Sequence, residues 1–220
     1  MRSRFMKENN EIILTPGYFL LNDGSEISPS SINNENKGKV IGYILDNSGN
    51  YSGRHIMIAI NASSYPMYWG DYDYLYGVDI PGLINYKYPN GSTELYRDKN
   101  GKSNTQIVAD YCNSQGWSLS DAGPAFNYCK TYNPGYRDSE WYLPSAGELK
   151  LFYNNRNKFR EDCNTAGIST NMSSDYDCWF WSSTEYSDIR AWLFRFSDSD
   201  LSYNNTKDYS RYVLPFLSID

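Results

Sequence analysis

The sequence predicts an α+β domain whose helices are gathered in the middle of the chain. Three observations predict it. Apolar runs bounded by turn residues fill the first sixty residues or so, helical spacing with capping signals runs from about residue 104 to 167, and period-two spacing returns from about residue 178 onward. Strands and helices segregated in this way argue against an alternating βαβ sheet.

The first strands are set by turn chemistry. Gly17-Tyr18-Phe19-Leu20-Leu21 is followed by Asn22-Asp23-Gly24 and then Ser25-Glu26-Ile27. An Asp-Gly between apolar runs is a hairpin signal, because Gly accepts the left-handed backbone of a tight turn. Lys39 to Leu45 is a second strand, closed by Asp46-Asn47-Ser48-Gly49-Asn50, and His55 to Ala62 a third. Residues 63–102 are rich in Tyr, Gly, Pro, Asp and Asn, which predicts long loops with short pieces of structure. Residues 1–16 form an N-terminal extension, and 17–220 a single domain.

The helices follow. Asn104-Thr105 is placed to cap a helix to about Ser114, with Ile107, Val108 and Tyr111 on one face. Ser120-Asp121 opens another, running to about Tyr132 and stopped by Asn133-Pro134-Gly135. Ser145-Ala146-Gly147-Glu148 has the form of a capping box. The Ser side chain accepts from the backbone three residues on, and Glu148 reaches back. That helix presents Leu149, Phe152 and Tyr153, and a separate helical piece spans about Lys158 to Asn164, ending near Gly167.

Cys178 to Thr184 is aromatic and strand-like, and Arg190 to Phe196 alternates. Parity puts Trp192, Phe194 and Phe196 in the core and turns Leu193 and Arg195 outward. Tyr209 to Ile219 is the last strand, with Pro215 at an edge or end.

Composition narrows function. The 220 residues carry a net charge of −6 and no Lys/Arg-rich run, which excludes a phosphate-backbone ligand. No apolar run approaches the ~20 residues a membrane span needs. The basic start, Met1-Arg2-Ser3-Arg4-Phe5, lacks the apolar core of a signal peptide. Tyr accounts for 22 residues, more than a Phe-substituting role in sheets explains.

Catalytic and metal chemistry find little support. The one histidine, His55, assembles no Ser-His-Asp or Cys-His set. Cys112, Cys129, Cys163 and Cys178 have no zinc-like spacing, and both disulfides and free thiols remain open. Glu140 and Glu148 have a structural explanation, and Asp198 with Asp200 reads as a solvated pair. No metal site and no cofactor are expected.

The second half resembles a known group. Trp141-Tyr142-Leu143-Pro144-Ser145-Ala146-Gly147-Glu148-Leu149 looks like the W-x-L-P-[ST]-x-x-E-L block of bacterial C-type lectin-like domains. Trp181-Ser182-Ser183-Thr184-Glu185-Tyr186-Ser187 resembles their W-S-S-T-E-Y-S block. Tyr128-Cys129, Ala191-Trp192 and Tyr212-Val213-Leu214-Pro215-Phe216 fit in order. Leu214, where the group usually has Arg, and Ser199, where Gly is common, depart from it. The resemblance covers about residues 104–220 and implies a C-type lectin-like fold with an N-terminal β-rich part. Trp141, Leu143, Pro144, Glu148, Leu149 and Trp181 are then scaffold. The sugar-binding Glu-Pro-Asn and Gln-Pro-Asp motifs of animal C-type lectins do not occur.

Within that group the C-terminal segment, 181–220, resembles the variable regions of proteins diversified by diversity-generating retroelements. Fifteen of the 28 residues from Glu185 to Tyr212 are Tyr, Ser, Asp or Asn, as scattered Asn codons would give. The expected ligand-binding residues are Tyr186, Asp188, Ile189, Arg190, Leu193, Arg195, Asp198, Asp200, Ser202, Tyr203, Asn204, Asn205, Asp208, Tyr209, Ser210 and Arg211. Tyr supplies contact area with few rotors to freeze, and Ser, Asp and Asn supply adaptable hydrogen bonds. The resemblance implies a non-catalytic receptor-binding protein on a phage tail, virion or bacterial cell surface, with a protein or glycan partner on another surface. It implies no membrane insertion and leaves homo-oligomers open. The alternatives are an adhesin of fixed specificity, fimbrial or surface, and an enzyme of the formylglycine-generating type, which would use a cysteine pair such as Cys163 and Cys178.

Overall fold

A computed structural model describes residues 7–8, 11–12, 14–45, 54–87, 92–138, 140–172, 179–195 and 203–219. The strands are β1 (Lys7–Glu8), β2 (Glu11–Ile12), β3 (Phe19–Leu21), β4 (Glu26–Ile27), β5 (Val40–Ile44), β6 (His55–Ala59), β7 (Met67–Tyr68), β8 (Trp179–Ser187), β9 (Arg190–Arg195), β10 (Tyr203–Thr206), β11 (Ser210–Arg211) and β12 (Phe216–Ile219). Among the described residues the α-helices lie between β7 and β8: α1 (Ser92–Leu95), α2 (Gly101–Ser114), α3 (Leu119–Ala122), α4 (Pro124–Lys130) and α5 (Ala146–Ala166), while two short 3-10 turns, Pro29–Ser31 and Lys37–Lys39, precede β5. The α+β class read from the sequence is the class observed.

One antiparallel sheet joins the two ends of the chain in the order β12-β6-β5-β3-β4. The Asp-Gly hairpin forms as expected, with Gly24 at φ 80° and Phe19 opposite Ile27. Leu14 is buried in the core on this sheet, and Thr15 donates to Glu26. The strand β12 closes the other edge by pairing Phe216 with Ile58. The expected final strand is therefore two pieces, β11 and β12, separated by the stretch through Pro215, which has no N–H to give a ladder.

Helix α5 lies over this sheet. Its capping box is complete: Ser145 Oγ accepts from Glu148 N and the Glu148 carboxylate accepts from Ser145 N at 2.8 Å. The helix then runs without a break to Gly167, whose left-handed φ of 61° ends it, so the expected separate piece at Lys158 is the same helix. Phe19, Tyr43, Phe159 and Phe152 form an edge-to-face chain with centroids 5.1–5.5 Å apart. Tyr43 donates to Asp162 at 2.7 Å, so the polar tip of a buried ring is satisfied.

A second core lies between α2, α4, β7, β8 and β9, around Trp69, Phe126, Trp181 and Val213. Here two expectations shift. Helix α2 begins at Gly101 rather than at an Asn104-Thr105 cap, because both side chains are buried with tertiary partners. Asn104 donates to Asp98 and Ser183, and Thr105 Oγ1 bonds both backbone groups of Leu143. The helix expected from Ser120 to Tyr132 is interrupted at Gly123, where α3 ends and Pro124 starts α4. A third, small cluster holds Leu95, Ala146 and Trp192.

The three-stranded sheet β10-β9-β8 carries the expected binding segment. It lies between the cores: Ala191 and Leu193 belong to the second, Phe180 and Phe194 to the first. Leu193, expected to face outward, is 3 % exposed. Parity holds, but both faces of β9 are covered, so Ala191 to Phe194 is buried throughout. Four consecutive apolar residues are the mark of a doubly covered strand, and that mark outweighs alternation here.

Candidate functional site

The outer face of the C-terminal segment is organised by one buried ion pair. Lys207, in the turn after β10, reaches inward to the Glu185 carboxylate of β8, and neither side chain is exposed. Its ammonium also donates to Val78 O at 2.8 Å and lies 4.7 Å from the Trp69 ring centroid. The Lys207 backbone adds three bonds: N to Ile189 O, and O from Trp69 N and Gly70 N, all 3.0–3.1 Å. Tyr86 N donates to Glu185 O. The pair thereby fastens the loop 69–86 and the 188–189 turn to the sheet. Burial outweighs the attraction and pushes the Glu185 carboxyl up to about 7, and it moves Lys207 below its ordinary range.

On this frame the expected site residues take different places. Asp188 and Arg190 are exposed at the turn, and Arg190 Nη1 donates to Asn204 at 2.9 Å across the β9–β10 pair. Ile189, Asn205, Asp208 and Ser210 are half-buried. Tyr186 is half-buried against Trp192, edge-on at 5.3 Å. Leu193 is core and is removed from the surface, while the backbone of Tyr203 pairs with it. Asp198, Asp200 and Ser202, with Phe196, lie outside the described residues.

Three of the expected residues come together. Trp179, at the start of β8, is paired with Arg195 of β9, whose guanidinium lies 5.1 Å from the indole centroid. Arg211 of β11 stands 5.5 Å from the same ring and 4.2 Å from the ring of Tyr209, which is 52 % exposed. The result is a half-exposed corner of two guanidinium groups and two aromatic rings. Arg211 Nη1 donates to Ser210 O at 3.2 Å, and its Nε is buried with no acceptor. On β7, which pairs with β11, Tyr68 stands opposite Ser210 and is 40 % exposed.

Sequence reasoning missed Trp179, Glu185, Lys207 and Tyr68. Trp179 had a legible signal: it alternates with Phe180 beside Trp181, so one more parity step places it on the Arg195 face. Lys207 had none, since a lysine between Thr206 and Asp208 reads as solvated.

The fold is similar to that of a fimbrial protein. That protein is from Bacteroides ovatus; its crystal structure superposes with a TM-score of 0.64 at 15% sequence identity, over 92% of this chain. The chain spans about half the length of the fimbrial structure, 48% of it. No protein-family model matches the sequence, and no curated protein does.

The thiols differ from reactive ones. Cys112, Cys129 and Cys163 are unpaired and buried, and Cys178 lies outside the described residues. Burial pushes the Cys112 thiol up to about 11 and Cys163 to about 12, so both stay protonated near neutrality. His55 Nε2 accepts from Leu14 N at 3.4 Å, on the far sheet. Among the described residues no group of three or more His, Cys, Asp or Glu is placed to hold a metal ion. No described helix is long and apolar enough to cross a membrane.

Proposed function

We propose that this chain is a non-catalytic surface adhesin domain of fimbrial type with fixed specificity, built on a C-type lectin-like scaffold. The observation that carries the reading is the meeting of Arg195 and Arg211 at Trp179, with Tyr209 against Arg211, beside a frame locked by Lys207 and Glu185. Arginine and aromatic residues are the side chains on which binding energy concentrates at interfaces. A rigid frame lowers the ordering cost of contact. The likeness to a fimbrial protein supports display at a cell surface, with a protein or glycan of a host or neighbouring cell as partner. Many copies in one assembly would strengthen a weak single site by avidity.

The test is retention of the labelled full chain on cultured epithelial cells and on bacterial cells. Tyr209→Ala and Arg211→Met should each reduce retention while the circular dichroism spectrum and melting midpoint stay at wild type. Retention unchanged in both folded variants would sink the reading.

Diversification by a retroelement is the second reading. In its favour, exposed Asp188, Arg190 and Tyr209 alternate with the buried frame of Ala191, Trp192 and Lys207, which separates replaceable positions from fixed ones. A near-copy of the stretch coding 185–212 beside a reverse transcriptase, differing at template adenines, decides for it, and a single copy decides for fixed specificity.

A further inference from the structure

We infer that the Arg211–Trp179–Tyr209 corner binds an acidic sugar, with the sugar carboxylate on the Arg211 guanidinium and a pyranose face on the Tyr209 ring. This rests on the adhesin reading and names its ligand class.

The carboxylate follows from Arg211. Its guanidinium is packed between contacts to Tyr209 at 4.2 Å and Trp179 at 5.5 Å, and one Nη is held by the Ser210 carbonyl. Nε is buried without an acceptor and Nη1 already serves the Ser210 carbonyl, which leaves Nη2 and the second hydrogen of Nη1 to meet an anion. Among the described residues no carboxylate forms an ion pair with Arg211, although the chain has 26 acidic residues against 20 basic ones. In a chain of that balance an arginine ordered by rings rather than by an acid is set for an anion from outside.

The sugar follows from the surroundings. Beside Tyr209, which is 52 % exposed, Tyr68 stands opposite Ser210 on β7 and is 40 % exposed, so two tyrosine rings border the corner. Tyrosine rings offer flat apolar faces with a hydroxyl at the edge, which suits a pyranose ring with its C–H face and its hydroxyls. An extended peptide would need an open strand edge or apolar pockets for alternate side chains. Here β11 is two residues long and already paired with β7, so its edge gives a peptide little to extend.

The test uses the full chain and four immobilised sugars: sialyllactose, a galacturonate trimer, and the methyl ester of each. Esterification keeps the rings and removes the charge. The acid forms should bind roughly tenfold or more tightly than their esters, the difference a charged hydrogen bond makes. Binding of the acids should fall with salt and be lost in Arg211→Met. Arg211→Lys keeps the charge without the fork and should recover only part of it. Preference for sialyllactose or for galacturonate identifies the source of the carboxylate. Equal binding of acid and ester overturns the inference. So does binding of a polyglutamate peptide with neither sugar acid, or no binding of either acid. In these cases loss of cell retention in Tyr209→Ala and Arg211→Met would leave the adhesin reading standing, so the two failures are distinguishable.

Discussion

Lys207 Nζ and the Glu185 carboxylate form an ion pair in which neither side chain has any exposed surface. One Glu185 oxygen, Oε2, accepts no hydrogen bond and is itself buried. Two charges removed from water are stabilising only relative to one charge left alone. Lys207→Met and Glu185→Gln should therefore each destabilise the fold by about 3–5 kcal/mol for a charge left unpaired, the first more than the second, because Gln keeps an acceptor for the ammonium. The double variant should be less destabilised than the sum of the two. Urea unfolding of the four proteins measures this coupling. Strict additivity would show that the pair does not act as a unit.

The same pair marks the limit of what the sequence discloses. The capping box at Ser145 was legible because all its partners lie within four residues. The Asp-Gly hairpin was legible for the same reason. Lys207 sits in a polar stretch, and its burial is decided by Val78, 129 residues away, and by Glu185, 22 residues away. Likewise Arg195, Tyr209 and Arg211 read as non-core from pattern. Arg195 meets Trp179 through the β8–β9 register, but Arg211, with Tyr209 against it, is held by β11 pairing with β7 in the distant loop region, which no local period encodes.

Glu148 gives a pH prediction. Its carboxylate is buried and accepts from Tyr142 OH at 2.9 Å and from Ser145 N at 2.8 Å. Burial nevertheless pushes its pKa up from 4.5 to about 7. Between those values the native chain holds a proton that the unfolded chain has released, so stability falls as pH rises from 4.5 through about 7. Glu148→Gln removes that contribution and retains a capping-box side chain. The loss of stability between pH 5 and pH 8 should be smaller in the variant by on the order of 3 kcal/mol, at about 1.4 kcal/mol per unit. Denaturant midpoints at the two pH values check it, and parallel losses in both proteins would contradict it. Glu185 titrates in the same window in both proteins and cancels in the comparison.

Gly147 should reverse an ordinary rule. Gly→Ala inside a helix usually stabilises by about 1 kcal/mol. Here Gly147, in the first turn of α5, donates its N–H to Asp98 O at 2.9 Å. A Cβ would press on the backbone carbonyls of Asp98 and Tyr96. Backbone oxygens in a packed loop cannot rotate away as a side chain can, so Gly147→Ala should lower stability by about 1–3 kcal/mol, as overpacking does. A thermal midpoint equal to or above wild type would show that the loop yields.

Leu193 is turned outward by strand parity and inward by the fold. If Leu193 lay on the binding face, its truncation would alter binding and leave stability alone. It is instead 3 % exposed, in the core formed by Trp69, Trp181 and Val213, on the strand whose other face carries Trp192 and Phe194. Leu193→Ala should therefore cost about 2–5 kcal/mol, the range for a buried leucine. Arg190→Ala, three residues earlier and exposed, should change stability by no more than about 0.5 kcal/mol. Equilibrium unfolding of both variants separates the cases. A Leu193→Ala protein as stable as Arg190→Ala would return Leu193 to the surface. It would also mean that the sheet β10-β9-β8 is covered on one face only.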